Sequence, residues 1–577
     1  MCGIAGIYGP GDIEAMTRIL AHRGPDDLGY YLEPPIQLGV RRLAIIDLAG
    51  GHQPMANEDE SLWIVFNGEI FNYQELRVEL IQLGHSFRTQ SDTEVILHAW
   101  EEWGESALDR FNGMFAFALW GKRRLVLARD RMGEKPLYYH HRPGCFLFAS
   151  EIKSILTQVP AEARLEADFR DFECAIGEDT LFAGIKELLP GHLLRYDGKK
   201  VEVQRWWEVP TYAGPYHGEQ DYVEELRFLL EDSVRLRLRA DVPVGLFLSG
   251  GLDSAAIACL GRPEHVFSAS FKLGPAYEEL EYAKLIAKRI KARHHVVRPR
   301  PEDFRRRFPK MIWHLDQPVS TASPIAEFML AERARKFVKV ALGGQGADEI
   351  FGGYTRYLLM LEGERILDAE PLRNYQSLAR HFFGRALAED PALRYYHLLN
   401  RGPDLDPVPL ALVQALFARH AHLIDRMGYA DVRLSLPSLL TMNDRATAAF
   451  GLENRSPFLD HRIVEFAFRL PPELKVRELT TKYVLRQAVR GIVPDPIIDR
   501  MDKKGLVVPA GNWLEGPLRR WCEAKLKRLR ERLEARDLLQ AQDRASDRGE
   551  FDRRAYTRLC LEQWFENFFD YGRKPKP

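Results

Sequence analysis

The sequence predicts two successive domains. The first is a layered α+β domain; the second is an α/β domain on a doubly wound parallel sheet, with a largely helical C-terminal part. Three observations carry this. The 577 residues exceed what a single core organises. The first half contains short apolar β segments with helical stretches between them, as a layered α+β domain requires. From about Asp221 strands alternate with helices, which implies parallel pairing.

In chain order, LWIVF (62–66), MFAFALW (114–120), RLVLARD (124–130) and CFLFAS (145–150) read as strands. Tyr73 to Leu83 and Asp92 to Trp103 read as helices, the second capped by Ser91 or Asp92. LPGHLLRYDGKKVEVQRWWEVP reads as a terminal hairpin ending near Pro210, and TYAGPYHGEQ (211–220) has linker composition. The expected domains are therefore 2–210 and 221–577, the second with a core to about 515. Within it, DVPVGLFLSGGLDSAAIACL is a buried strand, a glycine turn and a helix over Ala255–Leu260, and VFSASF (266–271) and VKVALGG (338–344) are further strands. After about 355 the pattern is helical. The stretch LRRWCEAKLKRLRERLEARDLL interleaves acids with bases, so it reads as a solvated amphipathic helix.

The bulk properties exclude several classes. Lys and Arg (81) nearly balance Asp and Glu (82), so nothing global suggests nucleic acid or an anionic membrane. No apolar run reaches bilayer length, and Gly9-Pro10-Gly11 interrupts the N-terminal apolar stretch, which lacks a basic start and does not read as a signal peptide. Six scattered cysteines without a C-x-x-C pair fit a reducing cytoplasm.

Two loops carry chemistry. Ser249-Gly250-Gly251-Leu252-Asp253-Ser254 follows a strand and opens a helix, where glycines let backbone N–H groups approach a phosphate and two serines add hydroxyl donors. Without Gly-Lys-Ser/Thr it is not the common P-loop. Asp253 beside a phosphate is repulsive unless a cation intervenes, which implies Mg²⁺. Gly343-Gly344-Gln345-Gly346-Ala347-Asp348-Glu349 also follows a strand, so both loops can face one crevice, with Asp253 and Asp348 as a carboxylate pair for the ion. At the other end, MCGIAGIYG poses an alternative. If Met1 is removed, Cys2 has a thiol nucleophile with its own α-amine as base; if it stays, Cys2 is a small apolar residue near a strand.

CGIAGIYG, HRGPDD (22–27), RRLAIIDL (41–48), FNGEIFNY (66–73), SDTEVILHAW (91–100) and LARDRMGEKPLYY (127–139) resemble the N-terminal-nucleophile glutaminase of class II amidotransferases, an αββα fold. LSGGLDS, GGQGADEIFGGY, RSPFLDHRIVEFA (455–467) and KYVLRQA (482–488) resemble the ATP-pyrophosphatase synthetase domain of glutamine-hydrolysing asparagine synthetases. The resemblance implies removal of Met1 and attack by Cys2 on the glutamine amide, with Asn67 and the Gly68 N–H as oxyanion donors. It implies Arg42 for the glutamine carboxylate, and Glu69 and Asp92 for its ammonium. In the second half it implies ATP held by Leu248, Ser249, Gly250, Gly251, Asp253, Ser254, Ala269, Gly343 and Gly344, with Mg²⁺ on Asp253 and Asp348. Lys482 would offset charge on the phosphates, as would Lys503, with Glu278 near the nucleotide. The implied reaction converts aspartate, glutamine, ATP and water to asparagine, glutamate, AMP and pyrophosphate through an acyl-adenylate and channelled ammonia. A homodimer is left open.

Gln345 stands where such synthetases usually carry Glu. A glutamine cannot accept a proton at neutral pH. Either no strong base is needed, or Glu349 or Glu453 serves, or the acceptor is a larger carboxylate such as a cell-wall precursor, sugar acid or peptide. A non-catalytic regulatory relative is the third reading, disfavoured by the presence of Cys2, Asn67, Asp253, Asp348 and Lys482.

Overall fold

The computed structural model describes residues 1–165, 176–211, 217–271, 279–319, 321–363, 390–399, 407–501, 508–535 and 553–570. Lys503, Glu278 and much of the 365–430 region lie outside the described residues.

The first half contains two six-stranded sheets. One has the order β10-β8-β9-β1-β3-β2, built from β1 (Gly3–Tyr8), β2 (Asp27–Glu33), β3 (Ile36–Arg42), β8 (Tyr138–Arg142), β9 (Cys145–Ala149) and β10 (Ile185–Glu187). The other has the order β12-β11-β7-β6-β5-β4, from β4 (Met55–Ala56), β5 (Leu62–Ile70), β6 (Gly113–Gly121), β7 (Arg124–Arg129), β11 (His192–Tyr196) and β12 (Val201–Arg205). Every pairing within them is antiparallel. Ile4, Leu38 and Phe148 of one sheet pack on Val65, Ala118 and Leu127 of the other. Outside, α1 (Ile13–Arg18) covers the first sheet, and α2 (Tyr73–Gln82) and α3 (Asp92–Trp103) cover the second. This layering explains why β1 and β6 read as unbroken apolar runs: each is buried on both faces.

The second half holds a parallel sheet of order β15-β14-β13-β16-β17, from β13 (Val244–Phe247), β14 (His265–Ala269), β15 (Arg293–Val297), β16 (Val340–Leu342) and β17 (Glu453–Arg455). The chain winds outward in opposite directions from β13 and β16, so the topological switch point lies between them. The helix after β13 spans Leu252–Gly261 and begins three residues before the expected Ala255, so Asp253 and Ser254 stand in its first turn. The remainder is largely helical. No helix among the described residues is long and apolar enough to cross a membrane.

The charged tail is not merely solvated. The helix Arg519–Ala535 buries Cys522, Lys525, Leu529 and Leu533, and Trp564 of the helix Arg553–Phe565 donates from Nε1 to the Asp316 carbonyl at 2.8 Å. Both helices share a core with α1 and β9, so the C-terminal segment closes over the first domain.

Gly68 pairs with Phe115 of β6, and a Cβ on it would lie 2.1 Å from the Met114 carbonyl oxygen. Backbone in a central strand cannot yield without losing ladder bonds. Gly68→Ala should cost about 1–3 kcal/mol; a denaturation midpoint equal to wild type would contradict this register.

Candidate active sites

The first pocket lies where β1 begins. Its wall includes Cys2, Arg42, Gly68, Glu69, Asp92 and Glu453. Arg42, at the end of β3, donates to the carbonyls of Ile46 and Asp47 at 3.0 and 2.7 Å and of Leu48 at 3.2 Å, which fixes its guanidinium. Ser91, not Asp92, caps α3, accepting from Thr93 N at 3.2 Å. Asp92 instead accepts from Ile70 N at 3.0 Å, tying α3 to the end of β5. Asn67 is not part of the wall. It is fully buried, and both polar atoms of its amide lack a hydrogen-bond partner. Such an amide needs an explanation, and an awaited substrate oxygen is one.

With Met1 in place, its α-ammonium lies 3.4 Å from Glu453 Oε2. Burial holds that amine below its ordinary pKa and pushes the Cys2 thiol up. With Met1 attached, Cys2 is therefore a neutral thiol and a poor nucleophile. Arg23 Nε donates to the Cys2 carbonyl at 2.9 Å and anchors its backbone.

The carboxyls in the wall are electrostatically unbalanced. Glu69 Oε2 accepts from Arg455 Nη2 at 2.8 Å, while its Oε1 has no hydrogen-bond partner. Burial, and then the neighbouring Asp92, hold the Glu69 carboxyl well above its usual range, and burial raises Asp92 to about 6. Burial would also raise Glu453, but the Met1 ammonium and Arg455 outweigh it and hold Glu453 low. Two buried carboxyls thus face each other with one guanidinium, an arrangement that attracts a ligand cation.

The second cluster sits at the switch point, in the loops after β13 and β16. Ser254 Oγ accepts from Ser249 N at 3.2 Å and lies 3.0 Å from Ser249 Oγ, closing the turn. Leu248 directly follows β13 and Ala269 ends the adjacent β14, and Ser268 Oγ donates to the Leu248 carbonyl at 2.6 Å. A Cβ on Gly344 would lie 3.0 Å from the Asp253 Cβ, so the two loops touch. Lys482 Nζ lies 2.7 Å from Asp253 Oδ1 and 2.6 Å from Asp348 Oδ1. The backbone of Lys482 is left-handed (φ +55°), the kind of strain that accompanies positioned functional side chains. Gln345 folds back over Gly343 and accepts from Ser456 Oγ at 3.5 Å.

Of the two acids that could stand in for a base at Gln345, only Glu349 is in these loops. It is buried, accepts from Tyr354 Oη at 2.5 Å, and is raised to about 7 by burial and then by Asp348. Glu453 instead lines the first pocket.

Sequence reasoning missed Arg455, which joins the two sites. It donates to Glu453 and Glu69 at 2.8 Å each, and the next residue, Ser456, reaches Gln345. The available signal was ENR as a strand: a parallel-sheet strand is normally apolar, so buried charges there need partners.

A family model described as asparagine synthase matches residues 225–572, and one described as a glutamine amidotransferase domain matches 1–207. Fold, pockets and matches together define a glutamine amidotransferase domain joined to a synthase domain. The chain belongs to the asparagine synthase family, whose members use ATP and carry out glutamine-dependent amidation. It is 35% identical to asparagine synthetase [glutamine-hydrolyzing] 1 of Bacillus subtilis (strain 168), over 90% of this chain and 89% of the relative. It is 31% identical to asparagine synthetase [glutamine-hydrolyzing] 3 of the same organism, over 87% and 86%. Amidase chyE of Penicillium rubens is 28% identical over 90% of this chain and 87% of its own length.

Removing Arg455 would leave Glu69 and Glu453 buried without their shared cation. Arg455→Met should cost about 3–5 kcal/mol, read as a lowered unfolding midpoint; an unchanged midpoint would mean that the charges find other partners.

Proposed function

We propose that the chain makes asparagine from aspartate, with glutamine as nitrogen donor and ATP as activator. The observation that carries the reading is Lys482 held between Asp253 and Asp348 at the switch point, in the same chain as a cysteine pocket whose wall shares β17 with the Gln345 loop. In this reading residues 2–210 hydrolyse glutamine and residues 221–577 activate the acceptor.

Once Met1 is removed, the α-amine of Cys2 takes the thiol proton as sulfur attacks the amide carbon, and returns it to the departing ammonia; water, deprotonated by the same amine, then hydrolyses the γ-glutamyl thioester, which releases glutamate and restores the thiol. Asn67 and the Gly68 N–H receive the oxyanion. Arg42 pairs with the glutamine carboxylate, and Glu69 with Asp92 accepts its ammonium. At the second site the Ser249–Ser254 turn and the helix N-terminus behind it hold phosphates, with Leu248, Ala269, Gly343 and Gly344 against the nucleoside. The β-carboxylate of aspartate attacks the α-phosphate, releasing pyrophosphate and forming the β-aspartyl-adenylate; ammonia then displaces AMP. Lys482 offsets charge on the phosphates. Asp253 and Asp348 converge on one point and offer hard oxygen donors, which fits Mg²⁺, and the ion would supply further charge compensation there. Gln345 orients through its amide, and Glu349 receives the proton the ammonia loses.

Gln345 and the resemblance to an amidase favour one second reading, the same chemistry on a larger carboxylate. Pyrophosphate release with MgATP, glutamine and a panel of acceptors separates the two. Release with aspartate, together with asparagine and AMP, supports the first; release only with another carboxylate replaces it. In the same assay Cys2→Ala should abolish glutamine use and leave ammonia-dependent synthesis, and loss of both would overturn the two-site scheme.

Glu349 must be ionised to accept a proton, and its raised pKa places that ionisation near neutrality. Ammonia-dependent kcat should therefore rise with pH through about 7. Glu349→Gln should lower it at least about 100-fold and flatten the profile. A profile unchanged in the variant would remove Glu349 from the role.

A further inference from the structure

A separate group of ligating side chains lies outside both pockets. Glu58, His85 and His98 each present one ligand atom, and these atoms all lie within 4.8 Å of one another. Three stretches of chain supply them: the loop between β4 and β5, the loop after α2, and the middle of α3. His98 is 1% exposed, and its Nε2 has no hydrogen-bond partner, the nearest carboxylate being Glu94 at 3.7 Å. Its Nδ1 lies 3.2 Å from Glu101 Oε2 and 3.6 Å from Glu58 Oε2. His85 Nε2 lies 3.3 Å from Glu102 Oε2, and the two imidazoles are 5.0 Å apart between centroids.

Four carboxylates thus surround two imidazoles. Two have other work: Glu94 accepts from the backbone of Arg88 and Thr89, and Glu101 accepts from Asn57 Nδ2 at 2.7 Å. Arg88, the nearby fixed cation, donates from Nη2 to the Glu58 backbone carbonyl, 3.1 Å away. Glu58 and Glu102 meet the histidines, and Glu58 has only a long 3.4 Å contact from Ser86 N besides.

We infer that Glu58, His85 and His98 bind a divalent transition-metal ion of zinc type. Two imidazoles and one carboxylate are a common zinc donor set, with a fourth position left for water or a neighbouring carboxylate. Bond lengths of about 2.0–2.1 Å require the ligand atoms to draw in to roughly 3.4 Å. Glu58 is long and exposed and His85 sits in a loop, so both can move; His98, packed in α3, is the fixed member. The bound ion would pin the middle of α3 to two loops, and α3 is the helix whose first residue, Asp92, lines the first pocket.

The test is a Zn²⁺ titration of the chelator-treated full-length protein in competition with a chromophoric chelator. One Zn²⁺ per chain is expected. Glu58→Gln and His85→Asn should each weaken binding by at least about 10–100-fold, the loss that even outer-shell partners cause. Both positions reach solvent, with side chains 36% and 15% exposed, and matched circular dichroism and unfolding midpoints establish that the variants fold. Absence of stoichiometric Zn²⁺, or equal affinity in wild type and both folded variants, overturns the site.

Discussion

The guanidinium of Arg455 is the constraint on which the two sites depend. It is completely buried between Glu453 on its own strand and Glu69 on β5, and further bonds run to the carbonyls of Arg237 and Arg239. Buried charges are costly unless every partner is in place, so a slip of one domain on the other would strand at least one of them. The cluster therefore sets one docking arrangement. It also makes β17 a shared wall, with a carboxylate in the first pocket and Ser456 against Gln345 in the second.

A second buried network supports the same interface. Arg23 pairs with Glu151 and Asp444 at 2.9 Å each, and Arg445 pairs with Glu151 at 2.8 Å and Asp316 at 3.2 Å. Lys153 completes it, 2.7 Å from Asp316. Arg23 also holds the Cys2 carbonyl, so the backbone of the proposed nucleophile is fixed by an arginine that pairs in turn with Asp444 of the second domain. The C-terminal helices close over this region, with Trp564 bonded to the Asp316 carbonyl. Domain docking and placement of Cys2 thus share the same residues.

The two pockets use charge in opposite senses. The first gathers Glu69 and Asp92 with one guanidinium, and burial leaves their pKa values raised until a cation arrives. The second keeps Asp253 and Asp348 compensated by Lys482, so in the proposed reading phosphates and a metal ion would exchange with an existing ion pair. Burial, and then Asp348, give Glu349 a proton affinity near neutrality that Gln345 cannot have, although the hydrogen bond from Tyr354 works against that rise.

Local sequence alone determined the strands β5, β6, β7 and β9, the bounds of α3, the two glycine loops and the family, because each is written in contiguous residues whose periodicity or motif is short-ranged. It also singled out Cys2, Arg42, Gly68, Glu69 and Asp92 as candidates, and these five line one pocket. Only the tertiary structure decided the rest. It gave the cap of α3 to Ser91, buried the Asn67 amide without a partner, started the Leu252–Gly261 helix early enough to include Asp253, and buried one face of the charged tail. It assigned Glu453 to the first pocket and exposed Arg455 as the link, since partners 386 residues apart leave no local pattern. Short-range propensity fixes elements, whereas the partner of a buried charge is chosen by whichever distant chain packs against it.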